Sequence, residues 1–441
     1  MKKNIVIERS RKDLSALSGL YFFDNLIKRN NLIGELGRIL PQKRRDRGSS
    51  PKNKFACGIL GFVAGAECID DLDDFRGDPL FSHLTSGGVA STTMGKFIRT
   101  FRQKNFENLQ SLFLSQSLLL RRHLDKKEKI IVTMDSTSHE QHGLKMEGVE
   151  WDYKNKWCLN SQNAFDEYGL CLGWDLRNGG SYSGNGALEM LERIFAKVPR
   201  DWDRSFRADS AYSNLEIYNS LLLKKVHFAI CLKENVWGAL LDKYESKVSW
   251  RKTRLKFFES NKCEIGSCLY PLKGLWGRSF LRVVFVRAKK KDLKKEDTRY
   301  YDYYAVVTDM SFSEMSDEEV LVFYRKRANI ENHIKDLKYG MDFKHFPCQK
   351  LMANKIWGMM GLFAYNLMRF ASWVMCPKTG CFLKRVRRKM VYLGAEVVSH
   401  ARNLKIRFSN FFYKEVKRLE YELNFRFAQE FFRSDSTNKF L

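Results

Sequence analysis

Apolar positions change period several times along the chain, and these changes divide it. Up to about residue 40 they recur at helical spacing with polar breaks. Pro41–Phe55 is a basic linker containing Ser, Gly and Pro. Helical runs resume in FACGILGFVAGA and CIDDLDDF, and DPLFSHLTSGGVASTTMGKFIRTF follows. Its turn, Ser86–Thr93, leads into a basic-aromatic helix bearing Lys96, Arg99 and Arg102, with Ser91, Thr92 or Thr93 as the cap. The segment fits a helix-turn-helix-sized unit that lays a basic helix on DNA. A small helical domain with a solvated charged face fits it equally.

From Lys126 the pattern changes. KKEKIIVTMDST predicts a buried strand that ends at Asp135. Ser161–Gly179 reads as a hairpin and Gly184–Val198 as an amphipathic helix. SFRADSAY repeats the first device, a short strand ending at Asp209; the helix LEIYNSLLLKK and the strand HFAICLK follow. Residues 237–304 break the alternation with short apolar-aromatic runs (KFFE, SCLYPL, SFLRVVFVRA), which predict a β-rich insertion with a basic flexible loop at Ala288–Asp297. The strand YYAVVTDM resumes the strand-and-helix alternation of residues 126–236. Ile356–Met375 reads as a buried core helix rather than a membrane span, since it contains Asn366 and Arg369. From Cys376 the chain is basic and reads as helical. The expected class is α/β in five segments: a helical N-terminal region (1–125), a core in two parts (126–236 and 305–375), the insertion (237–304) and the C-terminal region (376–441).

Charge narrows the function. The 441 residues carry 77 Lys and Arg against 51 Asp and Glu, a net +26 spread along the whole length. Such a surplus calls for a polyanion. Nucleic acid suits it better than a membrane, because the cations gather neither in one amphipathic helix nor beside an apolar span. Ten cysteines without a CxxC pair suggest neither a disulfide framework nor a zinc ribbon. MKKNIVIERSRKDLSAL lacks the apolar core of a signal peptide, so the cytoplasm, on the bacterial nucleoid, is the expected location.

The candidate chemistry lies in three carboxylates. Tyr324, Arg327, Glu331, Lys335 and Lys338 step by three, four, four and three residues, which on one α-helix aligns them on one face. Taken alone this is the pattern of a solvated charged face. With Asp135 and Asp209 on adjacent strands, Glu331 completes an all-oxygen donor set suited to Mg²⁺. Two such ions about 3.5–4 Å apart activate an attacking oxygen and stabilise the leaving one. Each aspartate singly is more often a turn or cap residue. Asp175 is the nearest rival and reads as a turn stabiliser. His139 and His142 lack a third ligand at metal spacing, and His139 is a candidate contact for DNA or the attacking water. Cys158 and Cys171 read as core fillers.

With these motifs in view, the chain resembles bacterial insertion-sequence transposases of the DDE class marked by Tyr-x2-Arg-x3-Glu-x6-Lys, which Tyr324, Arg327, Glu331 and Lys338 match without a gap. MDST and RADSAYSN resemble the two aspartate motifs. DPLFSHLT, FAICLKEN and LGAEVVSHARNLKIRF resemble the insertion-sequence 1380 family. The resemblance implies an RNase H-like core interrupted by the β-rich insertion. It implies Mg²⁺-dependent cleavage (Mn²⁺ able to substitute) at inverted-repeat ends, strand transfer into target DNA, and a homodimer on paired ends. It assigns DNA contacts to Tyr324, Arg327 and Lys338, with Lys335 on the same face. It also suggests that Tyr303 or Tyr304 replaces a tryptophan that stacks on a flipped base. A nuclease or resolvase without strand transfer, or an inactive DNA-binding descendant, are the competing readings.

Overall fold

The computed structural model describes residues 5, 7–42, 47–143, 145–258, 262–290, 299–400 and 403–437. Most of the expected loop Ala288–Asp297 and part of the linker Pro41–Phe55 lie outside them. The protein is mixed α/β and forms two compact units: Lys127–Ser138 with Asn160–Ile334, and Met1–Lys126 with His139–Leu159 and Lys335–Leu441.

The first unit is built on a mixed sheet. Strand Lys129–Glu140 lies between Trp157–Phe165 and Asp203–Ala208, and Cys171–Asn178 pairs on the far side of Trp157–Phe165. Asp203–Ala208 and His227–Cys231 continue the sheet in parallel. Parallel neighbours need both faces covered, and alternation along His227–Cys231 shows how this is done. Phe228 stacks on Tyr218 of the helix Leu215–Leu223, with centroids 5.5 Å apart. Ala229, one residue on, packs on the opposite face with Val320, Leu321 and Tyr324 of the helix Asp317–Arg325.

The segment expected as an insertion does not fold apart. It opens with a helix, Glu234–Tyr244, and KFFE forms no regular strand among the described residues. Its strands Arg251–Thr253, Cys263–Pro271 and Phe280–Lys289 lengthen the same sheet through Tyr301–Thr308, which pairs antiparallel with His227–Cys231. The expected limits at 237 and 304 therefore fall inside a helix and a strand. Buried Arg282 ties these strands to the helix Asp317–Arg325. Its Nη2 lies 2.6 Å from Asp317 Oδ1, and its Nη1 donates to the carbonyls of Met310, Ser311 and Met315. Burial pushes the Asp317 carboxyl up. Hydrogen bonds from Ser267 and Arg282 and the charges of Arg282 and Arg251 outweigh it and hold the pKa below the usual carboxylate range. Ser316 and Glu319 form a capping box that starts the same helix.

The second unit is mainly helical. Its central helix, Leu351–Met375, is buried along most of its length. Gly58 lets it approach the helix Pro51–Ala64, since a Cβ there would stand 2.3 Å from Met360 Sδ. Asn366, polar in an apolar helix, donates to Ser117 Oγ at 2.8 Å. Among the described residues no helix is long and apolar enough to cross a membrane. The C-terminal region is not wholly helical. Strands Ala395–His400 and Asn403–Phe408 form a hairpin that also pairs with Leu14–Ser15, because Ala395 and Val397 alternate inward at strand period. The helix Ser91–Ile98 begins after Ala90 rather than behind a Ser or Thr cap; Asp73 takes the free Ser91 N–H instead.

The Arg282–Asp317 pair is 3% and 2% exposed. Arg282→Met removes the buried partner of Asp317 and leaves it only Ser267 and the more exposed Arg251, and is expected to cost about 1.5–3 kcal/mol. Urea unfolding of the whole chain checks this, and a change below about 1 kcal/mol would show that the pair does not hold the helix.

Candidate active site

Register places the first two carboxylates. The parallel ladder between Lys129–Glu140 and Asp203–Ala208 ends with Met134 opposite Ala208. Asp135 and Asp209 are the next residue on each strand, and neighbouring strands lie about 4.8 Å apart. Asp135 is not a strand end, as expected from its polar sequel, but the middle of a longer strand. Beyond the parallel ladder that strand still borders Trp157–Phe165, whose Asn163 amide donates to the Asp135 carbonyl at 3.2 Å. Asp209 follows the last residue of its strand and caps the 3-10 turn Ser210–Tyr212, accepting from Ala211 N at 2.9 Å.

The two carboxylates feel each other. Burial, then the Asp209 charge, pushes Asp135 up to about 6, against the opposing pull of Arg327. Arg327 Nη1 lies 3.1 Å from Asp135 Oδ2, and its Nη2 lies 3.9 Å from Glu331 Oε1. Burial disfavours the charge on this guanidinium, yet Tyr324, Asp135 and Asp209 outweigh it and raise its pKa. The Glu331 side chain is 69% exposed. Among the described residues, no three His, Cys, Asp or Glu side chains stand assembled as a metal cage.

The signature face is not carried by one regular helix. Asp317–Arg325 is α-helical, Lys326–Ala328 is a 3-10 turn, and Asn329–Gly340 is α-helical again. Tyr324 faces the core with Val320 and Leu321 on the buried side of Asp317–Arg325, and the turn that follows places Arg327 beside Asp135. Tyr324 is 4% exposed and packs on Tyr304, ring centroids 5.9 Å apart, with Cys231 packed against the same cluster. Tyr324 therefore faces the core, whereas Tyr304 is half-buried. Lys335 and Lys338 lie further along Asn329–Gly340, in the second unit; Lys335 is exposed and Lys338 half-buried, its ammonium pKa lowered by that burial. Lys96 on the helix Ser91–Ile98 and Arg99 just after it are exposed; Arg102 belongs to the start of the next helix, Gln103–Leu124.

His139 is not a surface ligand. It is 1% exposed, its Nδ1 meets the Phe343 carbonyl, and its ring packs on Phe346. Burial lowers its pKa to about 3. His142 faces His345 at 5.3 Å. Cys158 and Cys171 are fully buried thiols, and burial pushes Cys171 up. Asp175 is half-buried on its strand.

A buried polar strand beside Asp135 carries no motif of its own. Asn160, Ser161, Gln162 and Asn163 are consecutive and all buried on one strand. Gln162 donates to the Ser183 carbonyl at 3.3 Å, and Ser136 Oγ donates to Ser183 Oγ at 2.8 Å. Tyr212, three residues after Asp209 and fully buried, has its phenol pushed up by burial and by the Asp135 charge. The signal was present: four polar residues in a strand flanked by apolar ones have to satisfy one another or a site.

The family described as Transposase DDE domain group 1 matches residues 1–421, so the chain belongs to the DDE transposases. No curated protein matches it.

Because His139 is held neutral, the unfolded chain takes up a proton near pH 6.5 that the folded chain refuses until about pH 3. Stability is therefore lost as pH falls through 6.5, by roughly 1 kcal/mol per unit below it. Thermal unfolding from pH 7.5 to 5.5 should show a smaller acid-side loss for His139→Gln than for wild type; equal slopes would contradict the assignment.

Proposed function

We propose that the protein is an insertion-sequence transposase that cleaves the inverted-repeat ends of its element and joins the freed 3′ ends to target DNA. The observation that supports this reading most is the side-by-side placement of Asp135 and Asp209 after the last rung of a parallel ladder, with Arg327 linking Asp135 to Glu331. The strand order, with Lys129–Glu140 flanked by a hairpin on one side and two parallel strands on the other, supports an RNase H-like core. The Tyr-Arg-Glu-Lys spacing and the likeness to the insertion-sequence 1380 family point the same way.

Asp135, Asp209 and Glu331 supply only carboxylate oxygens, a donor set fitted to Mg²⁺, with Mn²⁺ as a substitute. When bound there, divalent ions would make the attacking oxygen a better nucleophile and stabilise the leaving one. The chain's own residues orient that chemistry. Asn163 and Ser136 fix the Asp135 backbone and its neighbour, and the Ala211 N–H fixes Asp209. Arg327, Lys335 and Lys338 are cations for the DNA backbone, and Lys96 and Arg99 form a second basic face. Tyr324 acts through packing against Tyr304 rather than by touching DNA. Hydrolysis breaks one P–O3′ bond at the element end; the freed 3′-hydroxyl then displaces the target 3′-oxygen, so the number of phosphodiester bonds is unchanged in the second step. A homodimer on paired ends, working in the bacterial cytoplasm on the nucleoid, completes the reading.

The test is a duplex carrying the terminal inverted repeat, incubated with Mg²⁺ and a plasmid target. Cleavage and joining are expected for wild type. Asp135→Asn, Asp209→Asn and Glu331→Gln should each lower both by ~10²-fold or more while leaving the fold intact by circular dichroism. Full activity in any of the three would remove that residue from the site, and cleavage without joining would favour a nuclease.

A further inference from the structure

Arg327 occupies the ground between the first and third carboxylates. It meets Asp135 Oδ2 at 3.1 Å and stands 3.9 Å from Glu331 Oε1, and its side chain is 18% exposed, as is that of Asp135. A guanidinium hydrogen-bonded to a carboxylate oxygen occupies one of the lone pairs open to a cation, and two positive charges so close repel. The backbone carrying it is held. Residues 326–328 form a 3-10 turn between two helices, and the buried Arg207 donates to Phe323 O at 3.0 Å and to Thr133 Oγ1 at 3.2 Å. Side-chain rotation, rather than movement of the turn, is the available way to free Asp135. Arginine also forks readily onto phosphate, so a DNA backbone offers the guanidinium an alternative partner.

We propose that Arg327 is an internal stand-in cation. It neutralises Asp135 and Glu331 in the DNA-free protein, and a DNA phosphate draws it away, so that divalent-metal loading and DNA engagement are one linked event. The inference rests on the reading of Asp135, Asp209 and Glu331 as a divalent-metal site. Linkage is reciprocal: DNA tightens metal binding, and metal tightens DNA binding by the same factor. The device would keep the site unloaded, and so unable to hydrolyse bystander phosphodiesters, until DNA is seated.

The experiment is Mn²⁺ binding to the full chain, followed by the electron paramagnetic resonance signal of free Mn²⁺, with and without an inverted-repeat duplex. No activity is read. Without DNA, Arg327→Gln should bind Mn²⁺ about 10-fold or more tighter than wild type. DNA should tighten wild type by a similar factor and the variant by far less. Asp135→Asn should abolish the binding in both backgrounds. Arg327→Lys keeps a charge but loses the two-point bridge. It should be at least about 3-fold tighter than wild type, which keeps the test open if the glutamine variant does not fold. Asp135-dependent binding that is indifferent to Arg327, or DNA tightening undiminished in the variants, overturns the inference and leaves the metal site standing. Absence of any Asp135-dependent binding, with or without DNA, overturns both.

Discussion

The parallel ladder that ends with Met134 opposite Ala208 is the constraint on which the candidate site depends. Strand pairing of this kind fixes register to the residue, and a slip of one would turn either aspartate to the other face of the sheet. The burial of Ile130, Val132 and Met134 on one strand and Phe206 and Ala208 on its neighbour specifies that register through packing. The carboxylates inherit their positions from apolar residues buried in the core. The third carboxylate depends on a different device. The Arg282–Asp317 pair and the capping box at Ser316 seat the helix Asp317–Arg325, and the tight turn that follows delivers Arg327 and Glu331.

Sequence patterning made much of this legible. The two strand-and-aspartate devices, the amphipathic helices and the buried Leu351–Met375 helix follow from local periodicity, which the fold respects. The failures have physical causes. Asp135 looked terminal because Ser136–His139 is polar, but the strand runs on through it, with Ser136 bonded to Ser183 and His139 to the Phe343 carbonyl. The break at Lys326–Ala328 has no Gly or Pro to announce it, so the helical spacing ran straight through. Tyr324 instead shares the buried face of its own helix with Val320 and Leu321, so the five side chains do not form one line. His139 looked functional as a histidine near an aspartate; its burial against Phe343 and Phe346 comes from residues more than 200 positions away in the sequence, which no local pattern reveals.

Electrostatics ties the site to the chain's overall charge. A net +26 draws nucleic acid without specifying where chemistry occurs. The paired aspartates, with Asp135 pushed up to about 6, are a local concentration of negative charge within that positive field. Such a concentration of negative charge repels a phosphate unless cations stand between, and Arg327 already stands beside Asp135. The chain belongs to the DDE transposases, and this arrangement of charge supports the proposal that its chemistry takes place there.

The central claim is that folding brings Asp135, Asp209 and Glu331 to one divalent-metal site. Iron-directed backbone cleavage tests it most directly: Fe²⁺ is bound to the DNA complex in place of Mg²⁺, ascorbate and peroxide are added, and the fragments are mapped by mass. Cuts clustered near residues 135, 209 and 331, and suppressed by excess Mg²⁺, are the expected result. Cuts near only one or two of these positions, or elsewhere in the chain, would contradict the account.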